Sequence, residues 1–118
     1  MSIVINHMAQ LEPDVPGCEE AWRAGLAKIA DCPSVFLKVS GLWTIDLTWR
    51  PDRLKPYVHH VFDTLGADRL MYGSNLPVEK VNTSAERQLR VLTEILRDTT
   101  EKDRQDFFFN TAERVYRL

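Results

Sequence analysis

The chain has 118 residues, enough for one hydrophobic core, with Lys+Arg 15 against Asp+Glu 17 and a formal net charge of -2. Hydrophobic residues at 44% and charged residues at 27% are the balance of a folded globular domain rather than a disordered one. The even charge excludes a nucleic-acid partner, whose phosphates would need a concentrated basic surface. With no apolar run near the roughly 20 residues of a membrane span and no signal-like start, a cytoplasmic setting without membrane contact is the expectation.

In chain order, one phrase recurs three times: a short apolar or β-branched run, a polar break, then a stretch of helical period. The runs are "SIVIN" (2–6), "VFLKV" (35–39) and "RLMYG" (69–73). Each is too short for a helix, and runs apolar on both faces suit parallel strands covered by helices. The first helix is expected over 19–30, with Trp22, Leu26 and Ile29 inward, Glu19 and Glu20 at its positive end and Pro33 beyond its stop. Cys18 and Cys32 flank it and read as small buried or half-buried residues, lacking the spacing of a redox or metal motif. The second helix is expected over 52–65, with Leu54, Val58, Val61, Phe62 and Leu65 inward and Gly66 as its left-handed stop. Pro56 falls in its first turn or marks its start. His59 and His60 in its middle take structural roles, one toward solvent and one over the sheet. The third helix is expected to be capped by Thr83 with Glu86 three residues on, and to turn Leu89, Leu92, Ile95 and Leu96 inward. The closing stretch, 100–118, reads as two short helices broken near Asn110, with Phe108, Val115, Tyr116 and Leu118 available for packing.

Three successive βα units imply parallel strands joined by right-handed crossovers, in a small open sheet or part of a (β/α) barrel. A self-sufficient three-stranded parallel sheet leaves two unpaired edges, which is unusual for a complete fold, so the chain reads as incomplete. In such folds the polar residues that do chemistry collect at the carboxyl ends of the strands. Here these are His7 after the first run, Lys38 and Ser40 closing the second, and Asn75 just beyond the third. Strand alternation puts Lys38 and Ser40 on one face, and Ile5 with His7 on one face. A lysine within an apolar strand is explained either by a cleft holding an anion or by a stem that snorkels to solvent. Ser40 lacks a visible base that would make it a nucleophile.

"VINHMA", "VFLKVSGL", "YVHHVFDTLGADRLMYGSNLPV" and "NTAERVYRL", taken in order, resemble the C-terminal part of the amidohydrolase-related family, over residues 3 to 118. The joined run from Tyr57 to Val78 is the most specific part. The resemblance implies that 1–118 is the C-terminal portion of a TIM (β/α)8 barrel of metal-dependent, lactonase-like hydrolases. It implies a divalent metal, Zn or Mn, with His7 facing metal or substrate, and Lys38 and Ser40 as substrate-binding residues in a K-x-S-G pattern. Asn75 takes the catalytic position, where the family's G-S-D-W-P motif has an aspartate that binds metal or activates water. The substrate implied is a small lactone or carboxylated ring. An amide lacks the charge and basicity of that aspartate, and the family's H-x-H metal pair does not occur in these 118 residues. Weak or absent metal binding by this chain alone is therefore expected, together with self-association or a complementary N-terminal half. The alternative is a catalytically inactive half-barrel serving as an assembly or binding module.

Overall fold

The structure is a computed structural model that describes residues 1–117. Three strands, β1 (Ile3–Ile5), β2 (Val35–Val39) and β3 (Leu70–Tyr72), form one parallel sheet in the order β1-β2-β3. Ile5 pairs with Leu37, and Leu37 with Leu70, so one register runs across all three. Two of the strands are shorter than the apolar runs that announce them. Residues 67–69, for instance, form a 3-10 turn before β3 begins.

Helices α1 (Cys18–Ala30), α2 (Pro51–Leu65) and α3 (Ala85–Ile95) cover one face of the sheet. Leu37, Val39 and Leu70 meet Leu26, Leu54, Val58, Val61, Leu92 and Ile95 in the core between them. Each fully buried aliphatic side chain there contributes on the order of 2 kcal/mol. Phe36 and Met71 are buried outside that cluster, as strand alternation requires of residues on the second face.

Several expected boundaries move. α2 begins at Pro51, where a missing N–H costs nothing, and carries Pro56 inside. It ends at Gly66, whose φ of +85° and ψ of 150° stop the helix without the left-handed α conformation. Ser84, not Thr83, caps α3, accepting from the Arg87 N–H at 3.2 Å, which leaves Thr83 buried in front of it. Leu89 lies 40% exposed because Gln88 occupies the inward place. The Gln88 amide accepts from Tyr72 Oη at 2.8 Å and donates to the Ser74 carbonyl at 2.9 Å, and those bonds let a polar residue be fully buried. Cys32 is exposed rather than buried, while Cys18 is half-buried.

The closing helices, α4 (Glu101–Gln105) and α5 (Thr111–Tyr116), are joined by a π-helical turn over Asp106–Asn110 instead of a break. That wider turn buries Phe107 completely and leaves Phe109 exposed. Leu118, expected to pack, lies outside the described residues. His59 and His60 are both half-buried. His59 Nε2 donates to the Ile95 carbonyl at 2.8 Å, and His60 stands 2.9 Å from the Arg23 guanidinium and against the Trp22 ring. Among the described residues no helix is long and apolar enough to cross a membrane.

Candidate active site

β1 stops at Ile5, and the chain turns at once into four consecutive residues with positive φ, from His7 (53°) to Gln10 (61°). Non-glycine residues pay roughly 1–2 kcal/mol each for that conformation, so packing must hold the turn in place. Met8 and Leu11 are buried in the core, and Trp22 Nε1 donates to the Met8 carbonyl at 2.7 Å. The turn breaks strand alternation. Ile5 faces the helices, whereas His7 reaches Ser40, so the two do not share a face as the sequence pattern suggests.

Ser40 is 1% exposed and binds His7 twice. Its Oγ accepts the His7 backbone N–H at 3.1 Å and lies 2.9 Å from His7 Nδ1. The basic partner that the sequence did not reveal is thus present, supplied by a residue 33 positions away. Ser40's burial suits it to orienting the imidazole, whose Nε2 remains for other contacts. Two glycines make the approach possible. A Cβ on Gly41, at φ +61°, would lie 3.0 Å from the His7 ring, and one on Gly73 would lie 3.0 Å from Ser40 Cβ.

Lys38 and Ser40 do share a face, since the Lys38 stem also borders Gly73. Its ammonium lies 5.4 Å from the centroid of the half-exposed Tyr116 ring. A cation–π contact of that kind contributes about 0.5–1 kcal/mol, little enough for an anion to displace.

Asn75 follows β3 at φ +55°, a conformation asparagine tolerates better than most residues, and the Leu76–Pro77 peptide beyond it is cis. Its Nδ2 donates to Glu79 Oε2 at 3.3 Å. Glu79, which sequence reasoning missed, is fully buried. Its Oε1 accepts from Trp49 Nε1 at 2.8 Å and from the Trp43 N–H at 3.2 Å. Burial first, and the Glu79 charge second, hold the neighbouring Tyr72 phenol above its ordinary pKa.

A divalent ion needs three or four converging ligands. Among the described residues no group of three or more His, Cys, Asp or Glu is placed to hold one. His7 could give one nitrogen and Asn75 a neutral oxygen, a pair that does not fit a closed metal centre.

A parallel βα sheet with a histidine, a serine, a lysine and an asparagine at or just beyond the carboxyl ends of its strands is the arrangement in which α/β folds gather functional residues. The chain belongs to the amidohydrolase family, whose pattern matches residues 1–118. It is 30% identical to the protein y4mH of Sinorhizobium fredii over its whole length, and 42% identical to an L-fucono-1,5-lactonase of Burkholderia ambifaria over 83 residues, 69% of the chain. It spans 39% and 28% of the length of those two curated relatives. Among solved structures, an amidohydrolase from Burkholderia multivorans with bound HEPES superposes with a TM-score of 0.86 at 25% identity, covering 99% of this chain and 45% of that one. A second crystal form with bound zinc gives the same TM-score.

Proposed function

We propose that this chain contributes part of the active site of a hydrolase that opens a small lactone or a carboxylated ring ester. The observation that carries the reading is the His7–Ser40 pair at the carboxyl ends of adjacent parallel strands. The 42% identity to an L-fucono-1,5-lactonase supports it.

Lactone hydrolysis adds water to the ring carbonyl, passes through a tetrahedral oxyanion and expels the ring oxygen, which must gain a proton. Held by Ser40 at Nδ1, His7 offers Nε2 as the atom that takes the proton from water or delivers it to that oxygen. Lys38, swung from Tyr116, neutralises an anionic substrate group, and Asn75 orients substrate or water without serving as a base. Among the described residues the outer edges of β1 and β3 pair with no further strand. Complementary strands, from an N-terminal barrel half or a second copy, would enclose the site.

A second reading, an inactive assembly or binding module, is favoured by the amide at Asn75. The discriminating experiment mixes the chain with the N-terminal half of the Burkholderia ambifaria lactonase and follows hydrolysis of L-fucono-1,5-lactone and 2-pyrone-4,6-dicarboxylate. Turnover that His7→Ala abolishes supports the hydrolase. A docked complex that hydrolyses neither compound overturns it in favour of the module.

A further inference from the structure

We infer that Glu79 is a positioning residue that locks the Asn75 amide in one orientation, Nδ2 inward and Oδ1 outward, so that position 75 presents a hydrogen-bond acceptor to a ligand. Glu79 is 0% exposed and has no cationic partner among the described residues. An ionised carboxylate in that setting persists only if its oxygens are met by donors. Oε1 has two, the Trp49 indole and the Trp43 backbone N–H; Oε2 has one, Asn75 Nδ2.

Because a carboxylate only accepts, the opposite amide orientation would set Oδ1 against Oε2 and leave that oxygen with no donor. The backbone reinforces the choice. The Glu79 N–H donates to the Asn75 carbonyl at 3.2 Å, so one turn joins the two residues through both main chain and side chain. Asn75 Oδ1 has no protein partner among the described residues, yet no buried side-chain atom is left unsatisfied, so Oδ1 is open to solvent. It is an acceptor held ready for a hydroxyl, a water or an ammonium.

The same geometry makes an aspartate at 75 unfavourable in this chain. Two carboxylates at the Asn75–Glu79 separation cannot both be ionised without repulsion, so the pair would retain a proton. The lock rests on geometry alone; only its use toward a substrate rests on the hydrolase reading, and the test involves no lactone.

The test compares Asn75→Asp, Glu79→Gln and the double variant in guanidinium unfolding of the full chain at pH 8 and pH 4. Asn75→Asp should raise the unfolding constant about ten-fold or more at pH 8. At pH 4 the penalty should shrink, because a raised carboxyl pKa preserves stability at low pH and loses it as pH climbs above about 4. Adding Glu79→Gln to Asn75→Asp exchanges the two groups: the amide now at position 79 donates to the carboxylate now at position 75 and still accepts from the tryptophans. The double variant should recover most of the loss. Equal stability of Asn75→Asp and wild type at pH 8, or losses that simply add, would overturn the lock. Should Asn75→Asp fail to fold, the wild-type side-chain amide decides by NMR. The Asn75 proton facing Glu79 should exchange more slowly than its geminal partner and shift in Glu79→Gln; exchange of both protons at the rate of an open amide refutes the proposal.

Discussion

Gly41→Ala tests how closely His7 is held. Its methyl group would lie 3.0 Å from Cβ, Cγ and Nδ1 of His7, and the backbone at 41 has φ +61°. Left-handed backbone costs an alanine about 1–2 kcal/mol, and overpacking against a held ring costs roughly 1–3 kcal/mol. The alanine recovers about 0.4–1 kcal/mol by restricting the unfolded chain. The net loss is about 1–4.5 kcal/mol, at its upper end a large part of the roughly 5–15 kcal/mol typical of a domain. Gly17→Ala is the control, because Gly17 also has positive φ (+80°) but open space around its Cβ position, so only the backbone contribution remains. The assay is guanidinium unfolding followed by the fluorescence of Trp22, Trp43 and Trp49, with the His7 ring nitrogens monitored by NMR. Gly41→Ala should cost more than Gly17→Ala and alter the His7 Nδ1 environment. Equal costs with an unchanged imidazole would show that the His7–Gly41 approach does not constrain the site.

Three other outcomes follow from buried polar groups. Trp49→Phe removes the 2.8 Å donor to Glu79 Oε1 and should cost about 1–3 kcal/mol in denaturant unfolding, as expected for weakening a buried acceptor's set of partners. His60 has its pKa lowered, first by burial and then by Arg23, so the unfolded chain takes up its proton first as pH falls below about 6.5. Stability should therefore decline from pH 7 toward pH 5, and His60→Gln should flatten that slope. The Asp106 carboxyl is lowered chiefly by its bond to Lys102 and then by Asn110. Its contribution is present above the ordinary carboxylate value of about 3.9 and lost as pH falls further. Lys102→Met should lessen that acid loss in a pH series of unfolding midpoints.

The βα repeat was legible because burial on both faces of β2 and β3 leaves a compositional trace, and "VFLKV" maps residue for residue onto β2; β1 carries the same apolar composition although Ile3 is exposed and Val4 and Ile5 are only half-buried. The α3 face departs from its apolar periodicity at Leu89, because periodicity counts apolar residues and cannot register Gln88. Its burial depends on Tyr72 and Ser74, brought near only by the fold. The positions of His7, Ser40 and Asn75 were legible from the convergence of strand ends, but the His7–Ser40 bond was not. It requires four residues of left-handed backbone after β1, and "HMAQ" contains no glycine to announce them.

Glu79 marks the deeper limit. Nothing in "PVEKV" singles it out, and only Trp43 and Trp49, 36 and 30 residues earlier in the chain, make it a buried acceptor. That changes the meaning of the amide at 75. Considered alone, Asn75 is an amide where the motif that the sequence resembles would lead one to expect an aspartate. Beside a buried Glu79 it is the residue that satisfies an acidic oxygen while keeping its own acceptor outward, a pairing that aspartate could match only by holding a proton. What position 75 can do chemically is therefore set by the pair, and a substitution there must be judged with residue 79 in view.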